Sequence, residues 1–190
     1  MGFLDAVFGS KGKLKGAAPD RLFAMTTAHV TMETGLGLTS RGSAGVVFQP
    51  IGTADFKEIV TETEELLAGT AEETGTKVES QDDEYGYRWL ILRDPDFDDL
   101  VVAMNTVSVQ LQGAGYGDRL LAAVFAFQED GKQLHFIYNF KRGSYYPFVP
   151  AKGDKARDTE RELRIKSQLG GELPWEEDMA RWFPLWDIPL

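Results

Sequence analysis

Leu120-Leu121-Ala122-Ala123-Val124-Phe125-Ala126-Phe127-Gln128-Glu129-Asp130-Gly131-Lys132-Gln133-Leu134-His135-Phe136-Ile137-Tyr138-Asn139-Phe140 is the stretch that decides the fold. Its first eight residues are all apolar, the pattern of a strand covered on both faces. Asp130-Gly131 follows, and an Asp-Gly pair between apolar runs signals a type I′ hairpin turn, whose two central residues need positive φ. Leu134, Phe136, Tyr138 and Phe140 then alternate with His135, Ile137 and Asn139, as the second strand of the hairpin requires.

Upstream of the hairpin, Leu100, Val101, Met104, Val107, Ser108 and Leu111 recur at helical spacing behind an Asp96 cap, and Gly113 and Gly115 stop that helix. Before it, Tyr85 to Leu92 alternates as a strand, and Lys77 to Gln81 reads as a weaker partner across an Asp82-Asp83 turn. Phe56, Ile59, Val60, Thr63, Leu66 and Leu67 form the inner stripe of a helix whose cap is expected at Asp55, with Glu58 three residues on. Ser43 to Gln49 reads as a strand, residues 20–28 as helix, and 29–40 fit either state. Downstream, Gly143 to Pro150 is a loop or edge strand bounded by prolines. Asp154 to Leu169 reads as a charged surface helix. Trp175, Met179, Trp182, Phe183 and Trp186 fit helical spacing until Pro184. The order of elements implies an α+β fold: a single antiparallel sheet of about five strands with helices packed on one face.

At 190 residues one domain is expected, and 43% hydrophobic with 12% aromatic content is ample for a core without staples. No cysteine is present, which removes disulfides, thiolate metal sites and a cysteine nucleophile. The net charge of −10 repels phosphate backbones, so no nucleic-acid partner is expected. That charge is uneven, because the opening residues carry Lys11, Lys13 and Lys15 against Asp5 alone. Within residues 1–19, Phe3, Leu4, Val7 and Phe8 share one side of a two-turn helix, and the lysines follow on a glycine-broken tether. This segment reads as a short amphipathic tag ahead of a single domain over 20–190. Its apolar face suits weak, reversible contact with an anionic membrane, at about 1 kcal/mol for each lysine near the surface, or docking on a partner or on the domain itself. With no basic leader and no apolar run of membrane-spanning length, a cytoplasmic location is expected, peripheral to the membrane's inner face.

No catalytic constellation stands out. His29 and His135 are the only histidines, and no phosphate-cradle, nucleophile-elbow or metalloprotease motif occurs. Asp94-Pro95-Asp96-Phe97-Asp98-Asp99 lacks the glycine and glutamate of a calcium loop, and its carboxylates suit a helix N-terminus instead. Two clusters qualify as partner-binding candidates. One is Lys141-Arg142-Gly143-Ser144-Tyr145-Tyr146, where Lys141, Arg142, Tyr145 and Tyr146 combine cations with aromatics; edge-blunting charges in an ordinary turn are the alternative. The other is Trp182, Phe183 and Trp186, which serve either a core or an exposed contact. A pocket lined by Tyr87, Trp89, His135, Tyr138 and Arg142 would instead suit a small molecule or a hydrolytic reaction.

Four stretches together resemble the PspA-associated protein family PspAB, nearly end to end. They are Met1-Gly2-Phe3-Leu4-Asp5-Ala6-Val7-Phe8-Gly9, Tyr85-Gly86-Tyr87-Arg88-Trp89, Lys141 to Phe148, and Arg181-Trp182-Phe183-Pro184-Leu185-Trp186. The resemblance implies a non-enzymatic accessory or adaptor protein of the phage-shock membrane-stress response. Its partner would be PspA-type, a membrane-stress coiled-coil protein, or HtpX-type, a membrane-bound zinc protease. No cofactor and no established binding residues come with the family. Its α+β character is similar to secretion-chaperone-like domains, which implies as a further reading a homodimer that sequesters an apolar segment.

Overall fold

The computed structural model describes residues 19–153 and 155–190. The amphipathic face Phe3, Leu4, Val7 and Phe8 and the lysines Lys11, Lys13 and Lys15 lie outside the described residues.

The Asp-Gly turn forms as its chemistry requires. Asp130 and Gly131 take φ of 47° and 75°, and β4 (Leu120–Glu129) pairs antiparallel with β5 (Lys132–Asn139) from Glu129↔Lys132 to Ala122↔Asn139. Every side chain from Leu120 to Phe127 is buried, so β4 is covered on both faces. It is a central strand of a six-stranded sheet of order β2-β3-β1-β4-β5-β6, antiparallel throughout. The remaining strands are β1 (Thr39–Phe48), β2 (Lys77–Asp82), β3 (Arg88–Arg93) and β6 (Ser144–Phe148). β6 is the segment that the sequence left between loop and edge strand. Pro147, which cannot donate to a ladder, sits in it opposite Phe136.

A helical turn at Pro19–Leu22 leads into α1 (Ala24–Leu36). The ambiguous 29–40 region therefore splits, helix first and the start of β1 second. α2 (Ala54–Thr74) begins one residue before the expected cap. Its first-turn donor, the Phe56 N–H, goes to Thr53 Oγ1 at 3.4 Å, so Thr53 rather than Asp55 serves. Phe56, Val60, Thr63 and Leu67 of its stripe are buried, whereas Leu66 faces outward with 45% of its surface exposed. α3 (Phe97–Gly113) is capped by the Asp96 carboxylate, which accepts from the Asp98 and Asp99 N–H groups. All six residues of its stripe are buried. α4 is shorter than expected, Thr159–Leu169, because Asp158 caps it by accepting from the Arg161 N–H.

The four helices α1–α4 send residues into one cluster on one face of the sheet, which includes Phe125, Phe127 and Phe136. The other face carries a second cluster that includes Val47, Trp89, Ile91, Val124, Ile137 and Phe148. Among the described residues no helix covers it; the C-terminal segment does, with Trp182 and Leu185 buried and Trp186, Ile188 and Leu190 packed alongside. The helical spacing of that segment is not realised beyond a 3-10 turn at Met179–Arg181. Pro184 and Pro189 lack the N–H that a helix needs, and the sheet face offers more burial to an extended chain.

Candidate functional site

The two candidate clusters, some forty residues apart in sequence, meet in one place. The turn after β5 is tied off by Asn139, whose side-chain oxygen accepts from the Lys141 and Arg142 N–H groups at 3.0 and 3.3 Å. That turn aims the Arg142 guanidinium at the buried Glu176 carboxylate, which also accepts from Ser144 Oγ at 3.3 Å and from the Asp178 N–H at 3.1 Å. β6 then extends its ladder to the tail. The Tyr145 N–H donates to Pro174 O at 2.7 Å and the Glu176 N–H to Tyr145 O at 2.8 Å. Tyr145 Oη reaches Leu22 O at 2.6 Å, and Tyr146 Oη reaches Phe183 O at 3.1 Å.

The ends of α4 and β6 clamp the tail from the other side. Arg157 donates its fork to Glu162 and a third N–H to Trp182 O at 2.5 Å. Glu162 is fully buried and also accepts from the Val149 N–H at 2.9 Å. Burial pushes its carboxyl up, with Arg157 and the Val149 N–H opposing. The Trp182 indole donates to Glu176 O at 2.9 Å. The Trp186 ring meets Phe148 edge-on at 5.1 Å.

Exposure divides the candidates. Tyr145, Tyr146 and Trp182 are buried and offer no contact surface, so their role is to hold the tail. Lys141, Phe183 and Trp186 are partly exposed and Arg142 is exposed. The chemistry of the buried phenols is that of donors. Burial pushes Tyr138 up to about 12 and Tyr145 and Tyr146 well above the usual tyrosine range. The five proposed pocket residues do not converge. Tyr138 packs in the cluster under the helices, Tyr87 and Trp89 lie in the cluster on the opposite face, and all three are buried. His135 stacks on Phe148 at 6.2 Å, on that opposite face. A sheet separates residues that would have to share a cavity.

Hollows lie elsewhere among the described residues. A shallow groove of about 780 Å³ runs between α4 and the tail, lined by Leu163, Leu173, Pro174 and Trp175 with Lys166 and Glu177 at its rim. A second, of about 540 Å³, lies at the start of α4. Arg161 there pairs with Glu129 and Asp158 caps the helix, while Lys132 and Lys152 also line it. Asp94 likewise accepts from Thr76 Oγ1 at 2.5 Å and from the Asp96 N–H at 2.8 Å, so the acidic run serves the α3 N-terminus. Among the described residues, no group of three or more acidic or histidine side chains is placed to hold a metal. None of the helices described is long and apolar enough to cross a membrane.

Arg157, Glu162 and Glu176 were not singled out by the sequence. Each sits in a charged or mixed run whose default place is the surface, yet Glu162 and Glu176 are buried and Arg157 is half-buried beside them.

A family model described as PspA associated protein B matches residues 1–190, the whole chain. No curated protein and no solved structure matches.

Proposed function

The chain belongs to the PspA associated protein B family, and from that membership we propose that it is a non-enzymatic accessory protein that binds a PspA-type protein of the phage-shock machinery. The whole-chain family match carries this reading. The geometry supports it in kind: the convergent cluster is built from packing, ion pairs and hydrogen bonds to backbone, which suits recognition more than proton transfer. The contact surface is the tail and its surroundings, with Lys141, Arg142, Phe183 and Trp186 accessible. Residues 1–15 supply a second, weaker contact with anionic lipid on the cytoplasmic side. An HtpX-type protease is the alternative partner.

Pull-down with the tagged full chain from its native host after envelope stress tests the proposal. Enrichment of a PspA-type protein, reduced by Lys141→Ala, is expected. Recovery of neither a PspA-type nor an HtpX-type protein would overturn it. For the lipid contact, removal of residues 1–16 is expected to lower binding to anionic vesicles and leave the circular dichroism spectrum unchanged; unchanged binding rejects it.

A further inference from the structure

The sheet face away from the helices is an aromatic and branched-apolar surface of the kind that proteins bury against another layer, and among the described residues its cover is an extended strap. The strap runs across the strands. It starts at β6, where Tyr146 bonds the Phe183 carbonyl and Trp186 meets Phe148. It ends over β1, where a Cβ built on Gly45 would lie 3.3 Å from Leu190 Cδ2. A chain crossing a sheet face cannot join its ladder, because the peptide groups of the strands already pair within the sheet.

Four observations locate where this cover is weakest. The hydrogen bonds that anchor it lie at its start, on Trp182 and the Phe183 carbonyl. Pro184 and Pro189 bring no N–H groups. Trp186, Ile188 and Leu190 are only partly buried, while the sheet side chains beneath are almost wholly buried. Asp187 takes φ of 57°, a left-handed conformation that costs a non-glycine residue.

We propose that residues 182–190 are a displaceable strap, and that the face beneath it is the docking surface for an extended, proline-punctuated aromatic segment of a protein partner. The argument for that occupant is the segment seated there now. Its apolar side chains hold the face without ladder bonds, so a partner segment of the same chemistry can take the same seat. The inference rests on the protein-binding reading above and names the surface it uses.

The chain has no cysteine, so a Gly45→Cys, Leu190→Cys pair can close the strap covalently and reopen it on reduction. The probe is a fluorescent peptide of residues 181–190, followed by anisotropy against the full chain. Saturable binding to the native and reduced double-variant chains is expected, at least about tenfold weaker on oxidation. Leu190→Ala in the chain, which trims the strap's end over β1 while the probe keeps its own Leu190, is expected to bind the peptide about fivefold tighter. Equal binding by oxidised and reduced forms overturns the proposal, as does failure of the disulfide to form. Absence of binding to Leu190→Ala overturns it even if the double variant does not fold. Concentration-dependent self-association of the reduced form alone assigns the seat to a second copy and overturns the commitment to another protein. If both redox forms capture a PspA-type partner equally, the adaptor reading stands and the strap inference falls. If the peptide binds and no PspA-type partner is captured, the adaptor reading falls instead.

Discussion

At the residue scale, the buried charges carry the sharpest expectations. Glu162 is fully buried and satisfied by Arg157 and a backbone N–H. Taking away one partner of such a pair leaves an uncompensated charge, so Arg157→Ala is expected to cost about 3–5 kcal/mol in chemical denaturation. It also frees the Trp182 carbonyl, so the loss should appear with increased exposure of tail tryptophan fluorescence. His135 makes a pH prediction. Desolvation, aided by Arg41, pulls it from its ordinary 6.5 down to about 4. Between those values the unfolded chain binds a proton that the folded chain refuses. The stability contributed by neutral His135 is therefore full above pH 6.5 and is lost as pH falls toward 4. At pH 5 the loss is about 2 kcal/mol from this group alone. His135→Gln is expected to remove that increment from the difference between denaturation at pH 7.5 and pH 5; an identical difference in the variant and the native chain would refute the assignment.

Caps and turns set the elements. Asp96 fixes where α3 starts by satisfying two free N–H groups, so Asp96→Ala is expected to cost about 1 kcal/mol, measured as a shift in denaturation midpoint with unchanged slope. Gly131 holds φ of 75° in the β4–β5 turn, and Gly131→Val is expected to cost more than Gly131→Ala because a branched side chain fits that region least. The stripe of α3 was fully legible because its spacing and its burial agree. α2 was less so: Leu66 matches the stripe in spacing but points away from the sheet, and spacing alone does not say how wide a face the neighbours cover.

At the scale of the whole molecule, the described residues form a sheet with one face under helices and the other under the C-terminal segment. Removing residues 182–190 is expected to bare the aromatic face containing Trp89, Ile91 and Phe148, with dye binding and self-association in place of a monodisperse species. Retention of a monodisperse chain that binds no hydrophobic dye would contradict that layering. The β6 edge is closed by its bridge to Trp175, which leaves β2 as the outer strand at the other edge. Its burial pattern is almost wholly exposed, and Lys77, Glu79 and Asp82 stud it with charge that opposes edge-to-edge pairing.

By itself the sequence determined the α+β class, the β4–β5 hairpin and the α3 helix, because period, cap and turn chemistry are local and act through neighbouring residues. It also brought both partner clusters to notice, since cations beside tyrosines and a run of tryptophans are visible in one dimension. What only the tertiary structure decided is that those clusters form one assembly, which of their side chains are buried, and that the tail lies extended across a sheet. Helical spacing in the tail was a true pattern with another cause. Apolar residues at intervals of three and four also suit an extended strap with turns, and the choice between them depends on a sheet face made by strands distant in sequence.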